Sequence, residues 1–219
     1  MNKIKHLTDK ERKEYSGVYS DLIMSMEEIK PFIDLDVLRR RPYYNKINKL
    51  REYLEAVDEA DYKAEGTGFF ERFKSDDEYI NEVYALKATL KPDLDKLVNC
   101  SKCKCSKCFK NCPHKSCINC EPSRYVIACD DEYMIYYDSK TRTLFDNDNR
   151  VDVTFRTEGI LYELSTAKRY ILMVDITNPN NQHLLEFIQL LNGNEEFGQL
   201  DAETLDRIYN IFVDFGVSV

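Results

Sequence analysis

The chain has 219 residues, 43% hydrophobic and 12% aromatic, with a formal net charge of -8. That suffices for a buried core in one large or two small domains. There is no apolar run of the roughly 18 residues a membrane helix needs, and the opening MNKIKHLTDKERKEYSG lacks a secretory apolar stretch, so a cytoplasmic, reducing setting is expected.

Residues 1–99 read as helical. Thr8 and Glu11 have capping-box spacing, and helix signals run from there towards Glu28, with Pro31 as the stop. A second helix follows Pro42, where Ile47, Leu50, Tyr53, Leu54 and Val57 recur at helical spacing. Gly66 and Gly68 mark a break. Ser75 and Glu78 form another capping box ahead of Ile80, Val83, Leu86 and Leu90, and Pro92 is expected to break that helix. Leu94 and Leu97 then lead into Cys100.

Residues 121–219 open with strand patterns at Tyr125–Cys129, Glu132–Tyr137, Val151–Phe155 and Ile160–Leu164, with a turn at Asp146-Asn147-Asp148-Asn149. Tyr170–Val174 is continuously apolar and is placed centrally in the sheet. Asn178, Pro179 and Gly193 read as cap, first position and terminator of a helix with Leu184, Leu185, Phe187, Ile188 and Leu191 on its apolar face. A last helix covers about Ala202–Phe215. The expected fold class is therefore α+β: a helical part (1–99), a zinc knuckle (100–120), and an antiparallel sheet with two helices (121–219).

Seven of the eight cysteines fall in CSKCKCSKCFKNCPHKSCINC. In a reducing compartment such crowding indicates metal binding rather than a disulfide framework. Cys100, Cys103, Cys105, Cys108, Cys112, Cys117 and Cys120 with His114 make eight ligands, enough for two tetrahedral zinc ions in a structural site. Pairing of ligands to ions stays open, a bridging thiolate included. An iron–sulfur cluster is the alternative cofactor: Cys105-x-x-Cys108-x-x-x-Cys112-Pro113 resembles the end of a bacterial ferredoxin motif, but Lys102 stands where that motif requires Cys. Cys103-Lys104-Cys105-Ser106-Lys107-Cys108 resembles a metallothionein stretch and the Cys-x-Cys modules of tesmin-like DNA-binding proteins, although Asn111 stands before Cys112 where those modules carry Tyr.

Charge is uneven. Residues 121–219 hold 18 acids against 8 bases, whereas 100–120 hold five lysines and no acid. Lys102, Lys104, Lys107, Lys110 and Lys115 suit phosphate contact or a protein partner, or serve to neutralise the thiolates of the metal cluster. Asp130, Asp131 and Glu132 read as a solvated turn. A nuclease grouping of Asp152, Glu163 and Lys168 lacks the acid-x-Lys step, and a Cys129–His183 pair is weighed against a buried strand thiol. No phosphate loop, nucleophile elbow or dinucleotide fingerprint occurs.

The expected function is a non-catalytic intracellular zinc-binding adaptor or subunit of a larger assembly, with a protein partner and no membrane. One alternative is a nucleic-acid-associated regulator using the basic zinc module. The other is an unrecognised enzyme built on the acids near 130–132, 146–152 and 175. The Lys-, Asn-, Ile- and Tyr-rich, Trp-free composition suits an AT-rich genome, viral or low-GC bacterial.

Overall fold

The computed structural model describes residues 3–65, 75–110, 123–146 and 150–217. The chain divides into two compact units, Met1–Pro122 and Ser123–Val219. Within the described residues, the first is helical, the second an antiparallel sheet with one helix, and no helix is long and apolar enough to cross a membrane.

Three long helices build the first unit: α1 (Lys3–Ile29), α3 (Pro42–Glu65) and α4 (Asp76–Lys102), with a short α2 (Leu35–Arg39) between the first two. Each long helix packs on the other two. Their inward stripes are Ile4, Leu7, Tyr15, Leu22 and Ile29 from α1, Ile47, Leu50, Tyr53 and Val57 from α3, and Tyr79, Val83, Leu90, Leu94 and Leu97 from α4. Each such side chain contributes roughly 1.5–3 kcal/mol on burial, so packing far outweighs intrinsic helix propensity.

Two expectations for this unit are corrected. Thr8 and Glu11 do not cap a helix, because α1 already begins at Lys3. They lie inside it as buried polar residues: Thr8 Oγ1 donates to the Lys5 carbonyl and to Asp61 (both 3.1 Å), while Glu11 accepts from Tyr53 Oη (2.8 Å) and Lys87 Nζ (2.6 Å). Pro92 does not break α4, which runs through it to Lys102. The buried residues on both sides of it, Leu90, Leu94 and Leu97, hold the helix together against the missing donor. The second capping box holds, with the Ser75 side chain accepting from the Glu78 amide and Glu78 accepting from the Ser75 amide. The Gly66–Gly68 break lies outside the described residues.

Among the described residues, the second unit has seven strands: β1 (Arg124–Cys129), β2 (Tyr133–Asp138), β3 (Thr141–Asp146), β4 (Val151–Glu163), β5 (Arg169–Asp175), β6 (Gln182–Gln189) and β7 (Glu195–Gly198). They pair antiparallel in the order β1-β2-β4-β5-β6-β7, with β3 also on β4. The two strands expected at Val151–Phe155 and Ile160–Leu164 are one long β4. Its first half pairs with β3 (Phe155 opposite Arg142) and its second with β2 (Ile160 opposite Tyr136). The register shifts between Thr157 and Gly159, opposite β5. Tyr170–Val174 is buried throughout, as its unbroken apolar run predicts.

Among the described residues, the C-terminal part carries one helix, α5 (Ala202–Asp214), rather than two. The segment expected to be helical after Pro179 is β6, whose Leu185 pairs with Ile171 of β5. Asp175 organises the turn before it, accepting from the Thr177 amide and hydroxyl (2.7 Å each), the Asn178 amide and the Asn181 side chain. Gly193, at φ 86°, sits in the β6–β7 turn, where its amide donates to the Leu190 carbonyl. Asp201 caps α5 by accepting from the Thr204 amide (2.8 Å). Ile208 and Phe212 then pack on Ile135, Leu161, Tyr170 and Leu172. A side chain at Gly159 would place its Cβ 3.1 Å from the Phe212 ring, so this glycine sets how closely α5 approaches the sheet.

Candidate metal centre and its flanking surface

The cysteine segment begins inside the helical unit. Cys100 lies on the last turn of α4, buried in the core cluster, and Cys103 caps the helix. A turn of 3-10 helix covers Lys104–Lys107, and Cys108 follows it. Both Cys-x-x-Cys pairs in this stretch close i→i+3 turns: the Cys103 amide donates to the Cys100 carbonyl (3.1 Å) and the Cys108 amide to the Cys105 carbonyl (3.4 Å). A turn of this kind brings its end residues within about 7 Å, the reach at which two thiolates share one ion. Cys103, Cys105 and Cys108 are half-buried.

Cys112, His114, Cys117, Cys120 and Lys115 lie outside the described residues. Among the described residues, no three Cys, His, Asp or Glu side chains are grouped closely enough to hold a metal. Four of the eight expected ligands are thus placed, and those four do not by themselves form a site.

The segment is fastened to the start of α3. Arg41 is 5% exposed, and its guanidinium donates to the Cys105 carbonyl and to the Cys108 carbonyl, the latter at 2.7 Å. Tyr43 Oη donates to the Ser106 carbonyl (3.4 Å), and buried Ser106 donates to the Cys103 carbonyl (2.8 Å). The planar guanidinium fork suits two converging carbonyls, which a lysine could not bridge equally. Arg41 and Tyr43 carry no helical or cysteine periodicity. The only signal for them is an Arg-Arg-Arg run directly before the helix-starting Pro42.

Lys102, Lys104, Lys107 and Lys110 are all exposed, and among the described residues none forms an ion pair. Beside them is an aromatic pair that no sequence pattern singles out. Phe32, in the α1–α2 connection, and Phe109 have ring centroids 6.1 Å apart with planes tilted by 57°. They are 69% and 62% exposed.

The other candidate groupings do not assemble. Cys129 is half-buried on β1 and His183 is on β6, with β2, β4 and β5 between them, roughly 19 Å at the usual strand spacing. His183 instead stacks edge-on against Phe155 and bonds Asn181 at 3.1 Å. Asp152 and Glu163 stand near opposite ends of β4, so the acids at 130–132 and the described Asp146 and Asp152 flank opposite ends of one strand, while Asp148 lies outside the described residues. The acid run is a turn, with Asp130 accepting from the Glu132 and Tyr133 amides.

The strongest polar assemblies in the sheet unit are internal. Arg142 is buried and donates to Asp138 (2.9 Å), to both oxygens of Glu195 (2.7 and 3.0 Å) and to Thr157. Burial works against its charge, but Glu195 and Asp138 outweigh that and raise its pKa. Burial likewise pushes the Glu163 carboxyl upward, yet Thr166, Arg207 and Tyr170 hold it below its ordinary value. Such hydrogen-bonded networks fix the strands relative to one another.

No family model, curated protein or solved structure matches the chain.

Proposed function

We propose that this protein is a non-catalytic adaptor or assembly subunit whose cysteine segment is a structural zinc module carried by the helical unit. The observation that carries the reading is a ligand set of seven cysteines and one histidine within 21 residues, whose two described Cys-x-x-Cys pairs are folded as i→i+3 turns. The Arg41 clamp supports it, since it fixes the backbone that would present these thiolates. The module offers a rigid, lysine-rich face, while the acidic unit 123–219 suits a basic protein partner.

Zinc would tie the segment's ends together and couple its folding to metal, as structural sites do. Elemental analysis of purified protein tests this, with about two zinc ions per chain expected from the eight-ligand count. A brown protein carrying stoichiometric iron would replace zinc by a cluster, and metal-free folded protein would end the reading.

A further inference from the structure

We propose that the face formed by Phe32, Phe109 and Lys102, Lys104, Lys107 and Lys110 binds single-stranded nucleic acid, with the two rings as base-stacking platforms. This deepens the reading of the segment as an interaction module by naming its partner.

Two independent features converge there. The first is aromatic. Large rings normally bury most of their surface, yet Phe32 and Phe109 remain 69% and 62% exposed although each has the other within 6.1 Å. Rings that stand out from a surface do not line a recess for a partner's side chain. Their exposed faces are free to stack, and a base offers a flat face whatever its identity.

The second feature is charge. Residues 102–110 contribute four exposed lysines and no acid, two of them immediately flanking the Cys108-Phe109 step. Across the clamp, exposed Arg39 and Arg40 directly precede the Arg41 that grips Cys105 and Cys108, and exposed Lys30 lies two residues before Phe32, but exposed Glu27, Glu28, Asp34 and Asp36 balance the charge on that side. Asp36 offsets Arg39 at 3.6 Å, so the surplus rests on the lysines. On a chain of net charge -8, a local basic face with projecting aromatics is an exception that phosphates would match. A duplex offers its phosphates but keeps its base faces stacked, so the rings favour a single strand.

The test uses the full chain and fluorescence anisotropy. Fluorescein-labelled 20-nucleotide probes of mixed sequence are titrated as single-stranded RNA, single-stranded DNA and duplex DNA, alongside a labelled oligoglutamate peptide. At least one single strand should bind more tightly than the duplex, and more weakly at 200 mM than at 50 mM salt. Which single strand is preferred identifies the source. The double variant Phe32→Ala, Phe109→Ala should weaken binding by about 30-fold or more, given two stacking platforms. The pair Phe32→Leu, Phe109→Leu keeps apolar bulk but removes the ring faces, and should weaken binding too. Replacing Lys104, Lys107 and Lys110 by Gln should lower the salt slope by roughly 0.7 for each lysine–phosphate pair removed. Equal circular dichroism spectra across the variants show that the fold is retained.

No binding, equal or tighter duplex binding, affinity indifferent to the phenylalanine changes, or capture of oligoglutamate instead would each overturn the proposal. Zinc is measured on the same samples. Zinc-free protein that still binds through the rings sustains this proposal while ending the metal reading, and zinc-loaded protein that binds no probe does the reverse.

Discussion

Replacing Arg41 by Met should detach the cysteine segment from the helical unit. Met keeps an apolar stem of similar length, so the loss is chiefly that of the guanidinium. Arg41 is 5% exposed and donates to two backbone carbonyls, Cys105 and Cys108. A hydrogen bond to a charged group is worth about 1.5–3 kcal/mol, but the freed carbonyls recover some hydration, so a total near 3 kcal/mol is expected. With a urea dependence of about 1–3 kcal/mol/M, the unfolding midpoint should fall by roughly 1–3 M. Ellipticity at 222 nm is the assay. It reports mainly the first unit, whose helices α1, α3 and α4 span 27, 24 and 27 residues against 13 for α5. Arg41→Lys is the sharper control, because a single ammonium lacks the fork and should recover at most about half of the loss. Release of zinc to a chelator should speed up in both variants. An unchanged midpoint in Arg41→Met, or full recovery in Arg41→Lys, would refute the clamp.

Other outcomes follow from the same structure. Cys117→Ser should lower zinc content and destabilise the 95–125 region, whereas Cys129→Ser, half-buried on β1, should leave metal content unchanged; equal metal loss in the two would contradict the ligand assignment. Arg142→Met should cost the sheet unit about 1.5–3 kcal/mol by removing the charged hydrogen bonds to Asp138 and Glu195 while Arg124 still holds Asp138 at 3.2 Å, measured by tyrosine fluorescence in urea, and a loss below about 0.5 kcal/mol would dismiss the network as structural. The Asp175 carboxyl is held down at about 2 by the Thr177 hydroxyl, the Thr177 amide and Asn181. Its folded value lies below the unfolded value of about 3.9, so its contribution is complete above about pH 4 and is lost as pH falls towards 2. Asp175→Asn should therefore flatten the stability profile between about pH 4 and pH 2, and a profile unchanged in that window would show that the turn does not depend on the carboxylate.

Sequence periodicity locates the long helices, most strands and the last helix because those elements bury one clear face. It misreads His183–Leu191 for a physical reason. Leu184, Leu185, Phe187 and Ile188 fit a helical stripe as well as a strand, and only pairing with β5 decides between them. Pro179 and Gly193 bracket the segment as they would a helix, yet both occupy turns, one built by Asp175 and the other by a positive φ. Pro92 misleads in the opposite sense, because tertiary packing carries α4 past a local breaker. Thr8 and Glu11 have cap spacing but serve as buried partners to Asp61, Tyr53 and Lys87, pairings that no local pattern encodes. For the candidate site, the proposed ligand set rests on cysteine spacing alone, and half of it lies outside the described residues. The Arg41 clamp and the Phe32–Phe109 pair are not legible in the sequence, since each joins residues more than 60 positions apart.

The strand order of the second unit also bears on how it is made. Ladder partners are chain neighbours throughout, except where β2 reaches past the β3 hairpin to β4. Short loops close most of the sheet, which favours rapid, local zipping over slow long-range search. During synthesis the strands can assemble as they emerge, but α5 comes after all of them. Until it is translated, Ile135, Leu161, Tyr170 and Leu172 form a sheet face without Ile208 and Phe212 to cover it. A nascent chain halted near Gln199 would therefore carry a paired sheet with a sticky apolar face, the kind of species chaperones recognise.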